Sequence, residues 1–138
     1  MGSTRAKIMV INTDPVFLQL MDDLLTEQGY NTIPWREGKT AYEIVKKERP
    51  DLLILDIRLT NPEEGWQLVE VLKFDPHTRR IPIIIASADR QFLESKEPIL
   101  RQKGCFTLEK PFELEDLLTS VRQALSSSSE NGEARSRG

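Results

Sequence analysis

The stretch Pro50-Asp51-Leu52-Leu53-Ile54-Leu55-Asp56 joins an apolar run of strand length to a carboxylate at its last position. Leu52 to Leu55 show no polar alternation, so a strand here has both faces covered, which is the condition of a parallel sheet. Open α/β sheets bind their ligands outside the carboxyl ends of the strands. An acid that closes such a strand therefore stands where chemistry is done. Two later runs end on reactive groups in the same way: Ile83-Ile84-Ile85-Ala86 on Ser87, and the segment from Cys105 on Glu109-Lys110-Pro111-Phe112. Acid, hydroxyl and amine converge on one edge.

Working outward from that strand, helix and strand signals alternate along the chain. Lys7 to Asn12 is a short apolar strand, followed by Asp14 as a helix N-cap and Pro15 at the first helical position. Phe17, Leu18, Met21, Leu24 and Leu25 then recur at helical spacing up to Gly29. Tyr30 to Trp35 makes a second strand, and Pro34, which cannot donate to a ladder, assigns it to a sheet edge. A helix from Thr40 to Glu48, the strand Leu52 to Asp56, a loop through Gly65 and a helix carrying Trp66, Val69 and Leu72 follow, ended by Asp75-Pro76-His77. Ile81 to Ser87 is a buried strand. Asp89 to Lys103 is helical in composition, with Pro98 expected to kink or split it. Cys105 to Glu109 is the fifth strand, and Leu114, Leu117, Leu118, Val121 and Leu125 define a final amphipathic helix. Residues 126–138 read as a disordered tail or the start of a linker. The outcome is α/β: a flavodoxin-like, doubly wound, five-stranded parallel sheet of order 2-1-3-4-5 with five helices, and a reactive crevice where strands one and three end. Asp56 sits there.

Composition narrows the function. The chain has 138 residues and fits one core, while its net charge of −3 gives no electrostatic reason to expect nucleic acid or an anionic membrane surface. No stretch has the length of a membrane span, and Met1 to Lys7 lacks a signal-peptide core. A lone cysteine, Cys105, cannot form an internal disulfide, so a cytoplasmic location is expected. His77 reads as a solvated loop residue, Trp35 and Trp66 as packing residues, and Cys105 as a small buried hydrophobe.

Over residues 7–125 the chain resembles the receiver domain of two-component response regulators. The resemblance is carried by Pro50 to Asp56, by Ser87-Ala88 and by Glu109-Lys110-Pro111-Phe112. It implies that Asp56 accepts a phosphoryl group from the phosphohistidine of a histidine kinase or phosphotransfer protein, that Ser87 bonds a phosphoryl oxygen, and that Lys110 pairs with the phosphate. It also implies a cis Lys110-Pro111 bond and regulation of a downstream protein or output domain by protein contact. The face of the fourth helix, fifth strand and fifth helix would carry that contact, and a homodimer is allowed. Catalysis would be limited to self-catalysed phosphoryl transfer and hydrolysis.

The departures from the family pattern are local. Members usually carry two adjacent acids after the first strand, which hold a magnesium ion with the phosphoacceptor; here those positions read Asn12-Thr13. The remaining metal candidates are Asp56, Asp14, which needs a backbone shift to reach the ion, and the backbone carbonyl of Arg58. Magnesium binding is thus expected to be weakened. The ring usually found three residues before the lysine is Thr107, leaving Phe106 as its substitute. A pseudo-receiver, a binding module that is never phosphorylated, is the main alternative. Asp56-Ile57-Arg58-Leu59-Thr60 also partly matches the D-x-D-x-T loop of haloacid dehalogenase-like phosphatases, but Arg58 stands where that chemistry needs its general acid. A flavodoxin-type flavin carrier is excluded because Asn12-Thr13-Asp14-Pro15 has no phosphate-binding glycine.

Overall fold

The computed structural model describes residues 5–57 and 62–137, with side chains described for all of these except 62 and 128–137. Five strands, β1 (Lys7–Ile11), β2 (Asn31–Trp35), β3 (Leu52–Asp56), β4 (Ile83–Ser87) and β5 (Cys105–Glu109), alternate with five helices. These are α1 (Pro15–Glu27), α2 (Gly38–Glu48), α3 (Pro62–Phe74), α4 (Arg90–Gln102) and α5 (Leu114–Arg137). All strand pairs are parallel, and the order is β2-β1-β3-β4-β5. Pro34 pairs with Val10 on the outermost strand, where its missing N–H breaks no second ladder.

Strand alternation divides the core in two. Met9, Ile11, Leu53, Leu55, Ile83 and Ile85 pack with Ala41 and Val45 of α2, Val69 and Leu72 of α3, and Leu93 and Leu100 of α4. Ile8, Val10, Leu52, Ile54, Ile84 and Leu108 pack with Leu18, Met21 and Leu25 of α1 and Leu117, Val121 and Ala124 of α5. The central strands are therefore apolar on both faces, as their unbroken sequence runs require.

Three boundaries differ from the sequence reading. Gly65 lies inside α3 and not in a loop before it, and a Cβ there would stand 1.8 Å from the carbonyl oxygen of Ile57. The glycine is needed because the helix crosses directly over the backbone that follows β3. Pro98 lies within α4 without splitting it. Losing one helical hydrogen bond there costs about 3 kcal/mol, and burial of Leu93 and Leu100, worth about 1.5–3 kcal/mol each, offsets it. Finally, α5 continues to Arg137 where a tail was expected. Between Ser126 and Arg137 there is no proline, and extending a helix already nucleated costs far less than starting one.

Candidate functional site

The same alternation assembles the site. Ile8, Val10, Leu52, Ile54 and Leu108 face α1 and α5, so the residues two steps beyond Val10, Ile54 and Leu108 face the same side. Those residues are Asn12, Asp56 and Lys110. Because Ile11 is paired with Leu55, Asn12 arrives beside Asp56. All three lie at or just past the carboxyl ends of β1, β3 and β5.

Among the described residues, two donors meet one carboxylate oxygen of Asp56. Lys110 Nζ donates to Oδ2 at 3.1 Å, and Asn12 Nδ2 donates to the same atom at 3.1 Å. The Lys110 and Asp56 side chains are 25% and 17% exposed, so the pair is shielded yet reachable from solvent. Lys110 is held from a second side, with its ammonium 4.7 Å from the centre of the Phe17 ring, which meets Phe112 edge-on at 6.4 Å. The Lys110-Pro111 peptide bond is cis, and the Lys110 amide donates to the Ser87 carbonyl at 2.8 Å.

Asn12 is 3% exposed and both ends of its carboxamide are used. Its Oδ1 accepts from the Asp14 amide at 2.8 Å, which fixes the amide so that the NH₂ and not the oxygen meets the carboxylate. The sequence reading treated Asn12 only as a missing acid. Strand parity was the available signal for its contact with Asp56.

Ser87 stands at the end of β4 and Asp14 at the start of α1, where the sequence reading put them. Ser87 is buried at the end of β4, one residue past Ala86, the partner of Asp56 in the ladder; its Oγ accepts from the Asp89 amide at 3.0 Å, at the mouth of α4. Asp14 caps α1, accepting from the Val16 amide at 2.9 Å. Arg58 and Thr60 lie outside the described residues. Phe106 packs into the core on the α1–α5 side, while Thr107 lines the hollows between α4, β5 and α5. His77 is exposed in the loop after α3. Trp66 packs edge-on against Phe92 with the Lys96 ammonium 4.9 Å from its ring, and Cys105 is a buried free thiol whose pKa burial pushes up.

These residues do not make a divalent-cation site. Among the described residues Asp56 is the one carboxylate bonded in the cluster and is already paired with an ammonium, the Asn12 oxygen is engaged by a backbone amide, and Asp14 is engaged as a helix cap. Among the described residues no three acids, histidines or cysteines come together. An octahedral ion with one or two carboxylate ligands would bring two positive charges beside Lys110 with little to offset them.

A carboxylate at the switch point of a five-stranded 2-1-3-4-5 sheet, opposed by a lysine just past β5, is the arrangement of a receiver-type signalling domain. The match to the response regulator receiver domain spans residues 8–122, and the chain belongs to that family. Among its relatives is the polar-differentiation response regulator DivK of Brucella anthropi, 31% identical over 120 residues that cover 86% of this chain and 94% of DivK. A putative response regulator from Chloroflexus aurantiacus superimposes with a TM-score of 0.78 at 23% identity, covering 89% of this chain and 99% of that one. The chemotaxis response regulator CheY4 of Vibrio cholerae gives 0.77 at 23% identity, with 88% and 99% covered. The protein is a receiver domain of two-component signalling, a regulatory module whose family works with kinases and output domains. No described helix is long and apolar enough to cross a membrane.

Proposed function

We propose that Asp56 is the phosphoacceptor and that a histidine kinase or phosphotransfer protein supplies the phosphoryl group in the cytoplasm. The observation that carries this reading is the 3.1 Å contact between Lys110 Nζ and Asp56 Oδ2 at the carboxyl edge. A phosphoryl group on Asp56 brings two negative charges next to that ammonium, and charge-assisted bonds of this kind are about twice as strong as neutral ones. Transfer chemistry of this type depends on positioning and charge stabilisation more than on covalent help from the protein.

The output surface in this reading is the face of α4, β5 and α5. Lys110 itself lines a hollow of about 600 Å³ there, together with Arg90, Thr107, Glu109 and Asp116, and Arg90 is bonded to Glu109 at 3.2 Å. A change at Lys110 therefore reaches this face without an intermediary. A downstream protein or output domain would read it by direct contact, with no enzymatic step beyond self-catalysed transfer and hydrolysis.

The pseudo-receiver reading is favoured by one observation, the neutral Asn12 bonded to Asp56. Intact mass after incubation with acetyl phosphate separates the two. A gain of one phosphoryl group by the native chain, absent in Asp56→Asn, is expected; no gain in the native chain, or a gain that survives Asp56→Asn, overturns the phosphoacceptor role.

A further inference from the structure

We propose that this pocket accepts a phosphoryl group without a divalent cation, and that Asn12 is the positioning residue that makes this possible. The inference rests on the phosphoacceptor reading of Asp56 and goes beyond it by assigning the pocket's electrostatics to named atoms.

Among the described residues, the hydrogen-bonded cluster at the pocket is balanced within itself: Asp56 carries one negative charge, Lys110 one positive charge, and Asn12 and Thr13 none. Two carboxylates would contribute as much negative charge as one divalent cation cancels, so a pocket lacking both the acids and the ion has the same formal charge as one holding both. Like-charge crowding, the reason clustered carboxylates need a cation, does not arise here.

Asn12 adds geometry to this balance. Its NH₂ donates to Asp56 Oδ2 while its oxygen is tied to the Asp14 amide, and the residue is 3% exposed, so the donor is fixed before any ligand arrives. Preorganised donors are effective because they need no rearrangement as charge develops. In the reaction a carboxylate oxygen of Asp56 attacks the phosphorus of an acyl phosphate and forms a new P–O bond. The bond from phosphorus to the donor's acyl oxygen breaks, with its electron pair staying on that oxygen, which departs as a carboxylate. No proton moves, so neither a base nor a metal-bound water is required. Lys110 and Asn12, already bonded to the acceptor carboxylate, meet the transferred group as it arrives.

The test is the rate of phosphorylation by acetyl phosphate, followed by intact mass, in chelator and in millimolar magnesium. For the native chain the two rates are expected to agree within about twofold, because the cation has no vacant role as a charge neutraliser. The double substitution Asn12→Asp with Thr13→Asp should slow the reaction in chelator by about tenfold or more and recover with magnesium, since the restored acids repel until an ion joins them. Asn12→Ala, which removes the donor without adding charge, should slow the reaction equally in chelator and in magnesium, and an unchanged rate would overturn the positioning role. Phosphorylation of the native chain only with magnesium would overturn the metal-free pocket while leaving Asp56 as acceptor. No phosphorylation in either condition would overturn both.

Discussion

Two lysines occupy opposite ends of the sheet, and their partners differ in kind. Lys110, beyond β5, bonds the carboxylate of Asp56 and lies over the Phe17 ring. Lys73, at the end of α3, turns inward at the edge where β4 and β5 begin and donates to the carbonyls of Arg79 at 3.0 Å and Ile81 at 2.7 Å. Burial lowers the Lys73 pKa below its usual 10.5. Burial with a shifted pKa is a common mark of a functional lysine, yet here both belong to a lysine whose partners are backbone carbonyls and whose role is to satisfy them. A carbonyl neither titrates nor accepts a phosphoryl group, whereas a carboxylate can change charge and volume. The partner, and not the depth, separates the lysine that holds the fold from the lysine that serves the site.

The most severe break of this contrast is expected at Gly65, between the two ends. Gly65→Ala gains about 1 kcal/mol of helix propensity, but its Cβ would meet the Ile57 carbonyl at 1.8 Å, next to Asp56. Overpacking against backbone should dominate, with a net loss on the order of 3 kcal/mol in chemical denaturation. A neutral or stabilising result would show that α3 does not press on the end of β3.

Next in size is Lys73→Met, which keeps the apolar stem and removes the donor to the carbonyls of Arg79 and Ile81. A loss of about 1–3 kcal/mol is expected, with phosphoryl uptake at Asp56 unchanged. The loss should also depend on pH. The folded chain releases the Lys73 proton at lower pH than the unfolded chain does, so between the lowered folded value and 10.5 the unfolded state holds more protons and stability rises with pH. The gap between native and Lys73→Met should thus widen in favour of the native chain toward pH 10.5, and a gap that narrows would contradict burial as the cause.

The smallest stability change falls on Lys110→Ala, about 1 kcal/mol, since a partly exposed ion pair and one cation–π contact are each modest. Its functional effect should be the reverse of that at Lys73: phosphoryl uptake from acetyl phosphate should drop about tenfold or more, and further than in Ser87→Ala. Equal loss in the two variants would argue against a direct role for the ammonium.

Much of this was legible in the sequence because parallel strands announce themselves. The unbroken runs of β3 and β4, the proline that puts β2 at the edge, and the reactive residues closing β3, β4 and β5 fixed the sheet order and one edge of the site. Contacts between side chains from distant elements were not legible. Asn12 looked like a deletion of chemistry until the register of β1 on β3 placed its NH₂ on Asp56. The bonds from Lys73 to the carbonyls of Arg79 and Ile81 had no signal in the sequence. The contact among Tyr42, Lys46 and Asp75 gave no signal either. The Tyr42 hydroxyl donates to Asp75, a bond that raises the Tyr42 pKa and lowers that of Asp75, and Lys46 stands 3.8 Å from the same carboxylate. Gly65 was read as loop because a glycine within a helix is disfavoured unless something crowds it, and the crowding atom belongs to another segment.

Chemical trapping of the acyl phosphate tests the central claim most directly. Borohydride reduces an aspartyl phosphate to homoserine with loss of phosphate, so the acceptor is marked permanently and can be located by peptide mass spectrometry. After acetyl phosphate and borohydride treatment, homoserine is expected at position 56 alone. Homoserine at Asp14, Asp89 or any other acid, with Asp56 intact, would contradict the assignment.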